Sequence, residues 1–417
     1  MLRILIVTQY FQPEIFRIND FAEWANLEGH EVTVLTGTPN YPTGRYYEGY
    51  GIFKRWRENL NGIDVVRAPQ VPRFSGNSIN LVINYLSFAF SASVIGMIFC
   101  RKKYDVIFVH EPSPVTVGLP AILLKWLRGS PIAFWVLDLW PDSLSATGAI
   151  KNKYLLDSVS VLVRFIYKHC DLMLVQSEGF IPNLLEHGVD RTQVKYLPSW
   201  AEEHYGAKGD SRKIQEELAL PEGFYVLFTG NIGVAQDFPG ILKAAELTRE
   251  IDDIHWLIVG QGRMLSWVKD EAEKRGLAGH FHLVGSFPLE RMPDFLEFAD
   301  VTLVTLRREP AFSNTIPGKL QSYMASGKPV IGMLDGEPSR VILESKGGLV
   351  CDAEDSKGLA EAVLNVYDMP AQERNSLGQN SRKYYKTNFD RGHLFGRLEN
   401  WLLNLSQEPN GSRNDGE

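Results

Sequence analysis

Short apolar runs alternate with stretches of helical spacing along most of the chain. In the first two hundred residues the runs RILIVT, EVTVLT, DVIFVH, PIAFWVL and DLMLVQS are rich in Val, Ile, Leu and Phe and are bounded by turns or charges. They predict strands buried on both faces of a parallel sheet. Ile18–Leu27 and Pro120–Arg128 between them carry helical spacing, which gives the β-α-β alternation of a doubly wound sheet. The pattern breaks over 198–210, PSWAEEHYGAKGD, and then resumes with FYVLFTG, HWLIVGQG, HFHLVGS, DVTLVTL, PVIGML and GGLVCD. Two successive Rossmann-like α/β domains facing a central cleft are therefore expected, over 1–200 and 210–383. A helix is expected over 384–405, and 406–417 reads as a polar, disordered tail.

The uncharged stretch 79–100 is long enough to span a bilayer. However, Asn80, Asn84, Ser87 and Ser91 fall along one helical face, which favours a helix packed on the sheet with an apolar side resting on a membrane. Arg101, Lys102 and Lys103 follow it. The net charge of −7 argues against a nucleic-acid binder, although residues 1–200 carry 19 basic against 17 acidic side chains. The three cysteines, Cys100, Cys170 and Cys351, form no metal-spaced pair and read as buried thiols of a reducing compartment. MLRILIVTQY at the N-terminus reads as a strand and lacks the features of a signal peptide. A cytoplasmic location is expected.

Ligands of open parallel sheets bind beyond the carboxyl ends of strands, so the chemistry is sought there. In the second half three such ends carry glycine turns or cations. The first is TGNIGVAQ, with Gly230, Asn231, Gly233 and Gln236. The second is VGQGRM, with Gly260, Gly262 and Arg263. The third is the segment from Arg307 through Asn314 to the helix bearing Lys319 and Ser322. Glycines let backbone N–H groups approach a phosphate, and a helix N-terminus adds positive potential. One such loop is uninformative; three on one sheet point to a diphosphate pocket. In the first half His110 ends the strand DVIFV and either orients a substrate hydroxyl or caps a loop. Asp138 and Asp142 flank Trp140-Pro141; either serves as a base or binds a sugar hydroxyl, or Asp142 caps the next helix. Glu14, Arg17 and Asn19 in the first loop are candidates for contacting the acceptor or the donor phosphates, and Tyr41 in the aromatic segment 39–50 either stacks on an acceptor sugar ring or belongs to a packed surface loop. No metal site stands out: the acidic groups at 252–253 and 352–355 read as solvated charges.

GHEVTVLTGTPNYP, HEPSPVTVGLPA, VLDLWPDSL, TGNIGVAQ, VGQGRM and PGKLQSYMASGKPVIG together resemble glycosyltransferase family 4. More narrowly, they are similar to bacterial O-antigen and capsule N-acetyl-L-fucosamine transferases and the related colanic acid transferases. The resemblance spans residues 2–400. It implies a GT-B fold, a nucleoside diphosphate sugar donor (UDP favoured), retention at the anomeric carbon, and no metal or other cofactor. It also implies that His110 contacts the transferring sugar and that the helix over 384–405 crosses back to the N-terminal domain. A lipid-linked saccharide acceptor at the inner face of the cytoplasmic membrane follows from the same likeness, with the helix near 79–103 on the membrane surface. The sequence departs from the family in two places. The usual glutamate pair is replaced by Asn314 and Ser322, and the usual Arg and Lys after the first strand of the second domain by Asn231 and Gln236. Lys319, Arg307 or Arg263 would then supply the cation. Two other readings stand beside transfer: a nucleotide-sugar epimerase using Glu111, Asp138 and Asp142, and a non-catalytic glycan- or nucleotide-binding subunit.

Overall fold

A computed structural model of the chain describes residues 1–74, 78–146 and 152–407. Two compact units result. The first comprises Met1–Leu197 together with the chain from Gly392 onward; the second comprises Pro198–Arg391. The segment over 198–210 is thus not a free linker. Ala201 and Tyr205 are buried in the core of the second unit, and this burial draws the chain onto it.

The first unit is built on eight strands: β1 (Arg3–Val7), β2 (Glu31–Gly37), β3 (Arg57–Leu60), β4 (Ile63–Ala68), β5 (Val106–Glu111), β6 (Ile132–Val136), β7 (Leu172–Val175) and β8 (Val194–Tyr196). Their order is β3-β4-β2-β1-β5-β6-β7-β8, parallel except for β3 against β4. β1 lies between β2 and β5, so the strand order reverses at β1 and β5, where sheets of this kind place ligands. The β3–β4 hairpin was not anticipated from periodicity, although its turn is the Asn61-Gly62 dipeptide, both residues with positive φ.

The helices among the described residues up to Leu197 are α1 (Ile18–Leu27), α2 (Ser78–Phe99), α3 (Gly118–Arg128), α4 (Asp142–Ala146), α5 (Lys153–Lys168) and α6 (Ile181–Glu186). α2 is long and apolar enough to cross a membrane by length and composition, yet it packs on the sheet through Asn84, Phe88, Ala92 and Ile95. Its other face is outward and apolar.

The second unit has β9 (Phe224–Thr229), β10 (Ile254–Val259), β11 (Phe281–Gly285), β12 (Val301–Thr305), β13 (Val330–Met333) and β14 (Gly348–Cys351). They form one parallel sheet in the order β11-β10-β9-β12-β13-β14, the doubly wound arrangement with its switch point at β9 and β12. All six apolar runs of this half became these strands.

The helix expected over 384–405 is two helices, Ala371–Asn388 and Arg391–Gln407. Phe389 turns inward against Tyr384 and is buried in the second unit, which ends the first helix. The last helix belongs to the first unit. Phe395 packs edge-on against Phe21 at 5.6 Å and beside Trp24 at 5.3 Å, while His30 meets Glu399 at 2.9 Å. The tail expected to be disordered is described only to Gln407; 408–417 lie outside the described residues.

Candidate functional site

Each unit gathers chemistry at its switch point. In the first, His110 is buried at the end of β5, and its Nδ1 lies 3.0 Å from Thr8 Oγ1 at the end of β1. Burial without a counter-charge pushes the imidazole down to about 3, so it is neutral in ordinary buffers. Alternation along β5 puts Glu111 on the opposite face. Glu111 is fully buried, its Oε2 accepts the Asp138 N–H at 3.3 Å, and its Oε1 has no partner. Desolvation, reinforced by the Asp138 charge, holds the Glu111 carboxyl well above the usual carboxylate range. Asp138 is raised too, by burial, and accepts the Trp140 indole N–H at 3.1 Å. Asp142 is different: it opens α4, is exposed, and accepts from Asn183 Nδ2 of α6 at 2.8 Å. It serves the local helix packing.

The first loop and the aromatic segment lock together. Glu14 Oε1 accepts the backbone N–H groups of Asn40 at 2.8 Å and Tyr41 at 2.7 Å, and burial raises this carboxyl to about 7. Asn19 Nδ2 donates to Glu14 O at 2.8 Å, and Arg17 is half-buried just before α1. Tyr41 sits against Tyr10 and Phe16, which stack on each other at 4.9 Å. Glu14 therefore builds the aromatic corner instead of lining it. Behind this corner Gln9 Nε2 donates to Gln70 Oε1 and Asn84 Oδ1, and Asn84 Nδ2 donates to Val71 O at 2.6 Å. Two members of the polar stripe noted on α2, Asn84 and Ser87, fasten that helix to Gln9 and Val71, whereas Ser91 bonds within its own helix.

In the second unit the first two glycine turns interlock. Gly230 N–H donates to Val259 O, Ile232 N–H to Gln261 O and Met264 N–H to Ile232 O, at 2.8 to 3.0 Å. A Cβ on Gly260 would stand 1.8 Å from Gly230 O, and one on Gly262 would stand 2.2 Å from Ile232 O. Only glycine permits this approach. Asn231 is exposed beside Gly233, and the backbone oxygen of Gln236 accepts from Thr305 Oγ1 at 2.6 Å, closing the loop onto β12.

Lys319 comes from the first turn of the helix Gly318–Ser326. Its Nζ lies 3.6 Å from the Phe228 ring centroid and would be 3.5 Å from a Cβ at Gly230, and it has no hydrogen-bond partner. Burial pushes the ammonium down to about 7. Tyr323, one turn on, receives the Thr229 N–H at 2.7 Å and so fixes the helix against the end of β9. Sequence reasoning missed Tyr323, Thr8 and the Gln9–Asn84 pair, because a buried tyrosine or threonine in an apolar run carries no pattern signal.

The remaining candidates fall outside this cluster. Ser322 is buried and its hydroxyl donates to Gly318 O within its own helix at 3.3 Å. Asn314 follows the short helix Pro310–Ser313. Arg307 is paired with Glu354 at 3.3 Å. Arg263 is exposed beyond β10. Among the described residues no group of His, Cys, Asp and Glu is arranged to hold a metal ion.

An interlocked glycine turn with an uncompensated ammonium against it suits an anionic leaving group. Family comparison agrees: residues 16–200 match the Glycosyl transferase 4-like domain, and 210–384 match Glycosyl transferases group 1. The chain is a GT-B glycosyltransferase of family 4. The glycosyltransferase is 27% identical over 341 residues to WcaI of Escherichia coli K12, a protein named for colanic acid biosynthesis, covering 78% of this chain and 82% of that one. It is 21% identical to N-acetyl-alpha-D-glucosaminyl L-malate synthase of Bacillus anthracis over 70% of this chain and 72% of that one. Among solved structures, sucrose-phosphate synthase of Thermosynechococcus elongatus superposes with a TM-score of 0.74 at 14% identity, over 97% of this chain and 99% of that one. Anabaena HepE, solved with UDP, gives 0.69 at 12% over 97% and 100%. These likenesses place the GT-B fold of the glycosyltransferase.

Proposed function

We propose that this glycosyltransferase moves a UDP-linked N-acetylated amino sugar, such as N-acetyl-L-fucosamine, onto a polyprenyl-diphosphate-linked saccharide during O-antigen, capsule or exopolysaccharide assembly. The observation that carries the proposal is Lys319, an unpaired buried cation held against the glycine turns of β9 and β10. A departing diphosphate supplies the counter-charge it lacks, so the site favours the transition state in which negative charge builds on the leaving oxygens. In transfer with retention, the bond from the anomeric carbon to the diphosphate oxygen breaks. The acceptor oxygen bonds to that carbon on the same face, and its proton passes to the leaving diphosphate. Lys319 and the backbone amides balance the charge that a metal ion supplies in other enzymes. Neutral His110, oriented by Thr8, offers a hydrogen bond to the transferring sugar, and Asp138 orients the acceptor hydroxyl.

The enzyme works at the cytoplasmic face of the inner membrane. Support comes from the outward apolar face of α2, followed by Arg101, Lys102 and Lys103, a combination suited to an anionic lipid surface. Mass spectrometry of a synthetic polyprenyl-diphosphate glycan, incubated with a panel of nucleotide sugars, tests the proposal. A mass gain of one N-acetylated amino-sugar residue, hexose or 6-deoxyhexose type, from one donor is expected; no gain with any donor rejects it. The neighbouring carboxyls of buried Glu111 and partly buried Asp138 favour a second reading, epimerisation of the nucleotide sugar, because that chemistry needs paired carboxyls. Incubation with the donor alone separates the two: an isomer of the donor identifies an epimerase.

A further inference from the structure

Arg73 carries a charge that transfer from the nucleotide site does not use. Its guanidinium lies 5.1 Å from the Tyr41 ring centroid and 5.9 Å from that of Tyr10, and no carboxylate among the described residues pairs with it. The position is built. The Arg73 backbone N–H donates to Asn40 Oδ1 at 3.1 Å, and Asn40 is itself held by Glu14. Tyr10 is almost wholly buried, and its hydroxyl has no partner. Aromatic faces hold a guanidinium while leaving its N–H edge free, and that edge matches paired phosphate oxygens.

Two neighbours give the position a direction. Towards the strand ends, the Arg73 charge acts on the Tyr85 hydroxyl of α2; Tyr85 meets Trp140 edge-on at 6.0 Å, and Trp140 donates to Asp138. In sequence, α2 begins five residues after Arg73. Its outward face shows Ile79, Ile83, Leu86, Phe90, Val94 and Met97, with Ile79 71% and Phe90 75% exposed. At about 1.5 Å per residue this lane is about 27 Å long. An unpaired cation and an exposed apolar lane in one unit are together complementary to an amphiphile with a diphosphate head and a hydrocarbon tail.

We infer that Arg73 anchors the diphosphate of a polyprenyl-diphosphate acceptor, whose isoprenoid chain follows the outward face of α2 and whose sugar is presented towards Asp138. The inference rests on the proposed acceptor class and adds the site that reads it. Arg73 binds and positions; it takes no part in bond making.

The test is equilibrium binding of farnesyl diphosphate, farnesol and inorganic diphosphate to the full chain, with UDP binding as the control for folding. Arg73→Ala should weaken farnesyl diphosphate at least ten-fold and leave farnesol and UDP unchanged. Arg73→Lys should recover part of the loss. Phe90→Asp should weaken both prenyl compounds and spare UDP, and Lys319→Met should weaken UDP and spare farnesyl diphosphate. Inorganic diphosphate should bind less tightly than farnesyl diphosphate, because it lacks the tail. Failure of the wild type to bind farnesyl diphosphate overturns the inference, as does equal binding by Arg73→Ala or loss through Lys319→Met instead. Because this readout needs no turnover, it is separable from the proposed function: transfer to the polyprenyl-diphosphate-linked glycan with normal rates and KM in Arg73→Ala would keep a glycosyltransferase and remove this anchor.

Discussion

Burial weakens the hold of Lys319 on its proton, and this makes donor binding depend on pH. Its ordinary value is 10.5, and desolvation brings it to about 7. A bound diphosphate favours the charged form, so above pH 7 binding must take up a proton. Affinity for a UDP-sugar, whose phosphates do not titrate there, should fall as pH rises through 7, by up to about ten-fold per unit. Titration calorimetry from pH 6 to 9 measures this; Lys319→Met should bind weakly with a flat profile, and an unchanged slope in that variant would remove Lys319 from the site. His110 makes the opposite prediction. Its imidazole is depressed to about 3 by burial, so no change in its charge occurs between pH 5 and 8. His110→Ala should abolish transfer, leave UDP affinity within about two-fold, and remove no limb from a binding profile over that range. Loss of UDP binding together with transfer would contradict the role given to His110.

The elements that bring these residues into place depend on buried polar contacts. Asn84 on α2 accepts from Gln9 and donates to Val71 O. Asn84→Leu makes the helix more apolar, so a membrane-spanning α2 would gain from it. A packed α2 instead loses two buried partners, about 2–4 kcal/mol. A lowered midpoint in thermal unfolding of the purified protein is expected, and a raised one would reverse the reading of α2. Tyr323→Phe leaves the buried Thr229 N–H unpaired and should raise KM for the donor more than it lowers kcat. Strands were legible in the sequence because residues such as Ile6, Phe108, Phe228 and Leu303 form unbroken apolar runs, buried on both sides of a parallel sheet. The glycine turns were legible because Gly260 and Gly262 tolerate no substitute at that backbone distance. What stayed hidden depends on register across the sheet. Thr8 reaches His110 only because β1 and β5 are neighbours, 102 residues apart in sequence, and Tyr323 reaches Thr229 across 94. The replacement of the family glutamates by Asn314 and Ser322 was visible, but not that Ser322 turns into its own helix.

At the scale of the whole molecule, the second unit is inserted into the first: the chain leaves after Leu197 and returns at Gly392. The first unit is therefore closed by residues remote from the rest of it. In the last helix Leu394, Phe395, Leu398 and Leu402 are all buried, and Phe395 fills the space between Phe21 and Trp24. Truncating a buried phenylalanine costs about 3–5 kcal/mol through lost burial and the cavity left behind. Phe395→Ala should therefore destabilise the first unit, while the sheet of the second unit, whose core contains none of these side chains, keeps its own stability. The two units can be told apart by acid. His282 in β11 is depressed to about 4, chiefly by burial and then by the nearby His255 charge, against an ordinary 6.5. The unfolded state then binds the extra proton first, so this contribution to stability is present above pH 6.5 and is lost as pH falls from 6.5 to 4. In calorimetry, the transition that His282→Asn makes less sensitive over that pH window belongs to the second unit. Phe395→Ala should lower the other transition by several degrees and leave this one in place. A single transition moving as a whole would mean that the inserted unit and its host unfold together, and that the last helix stabilises both.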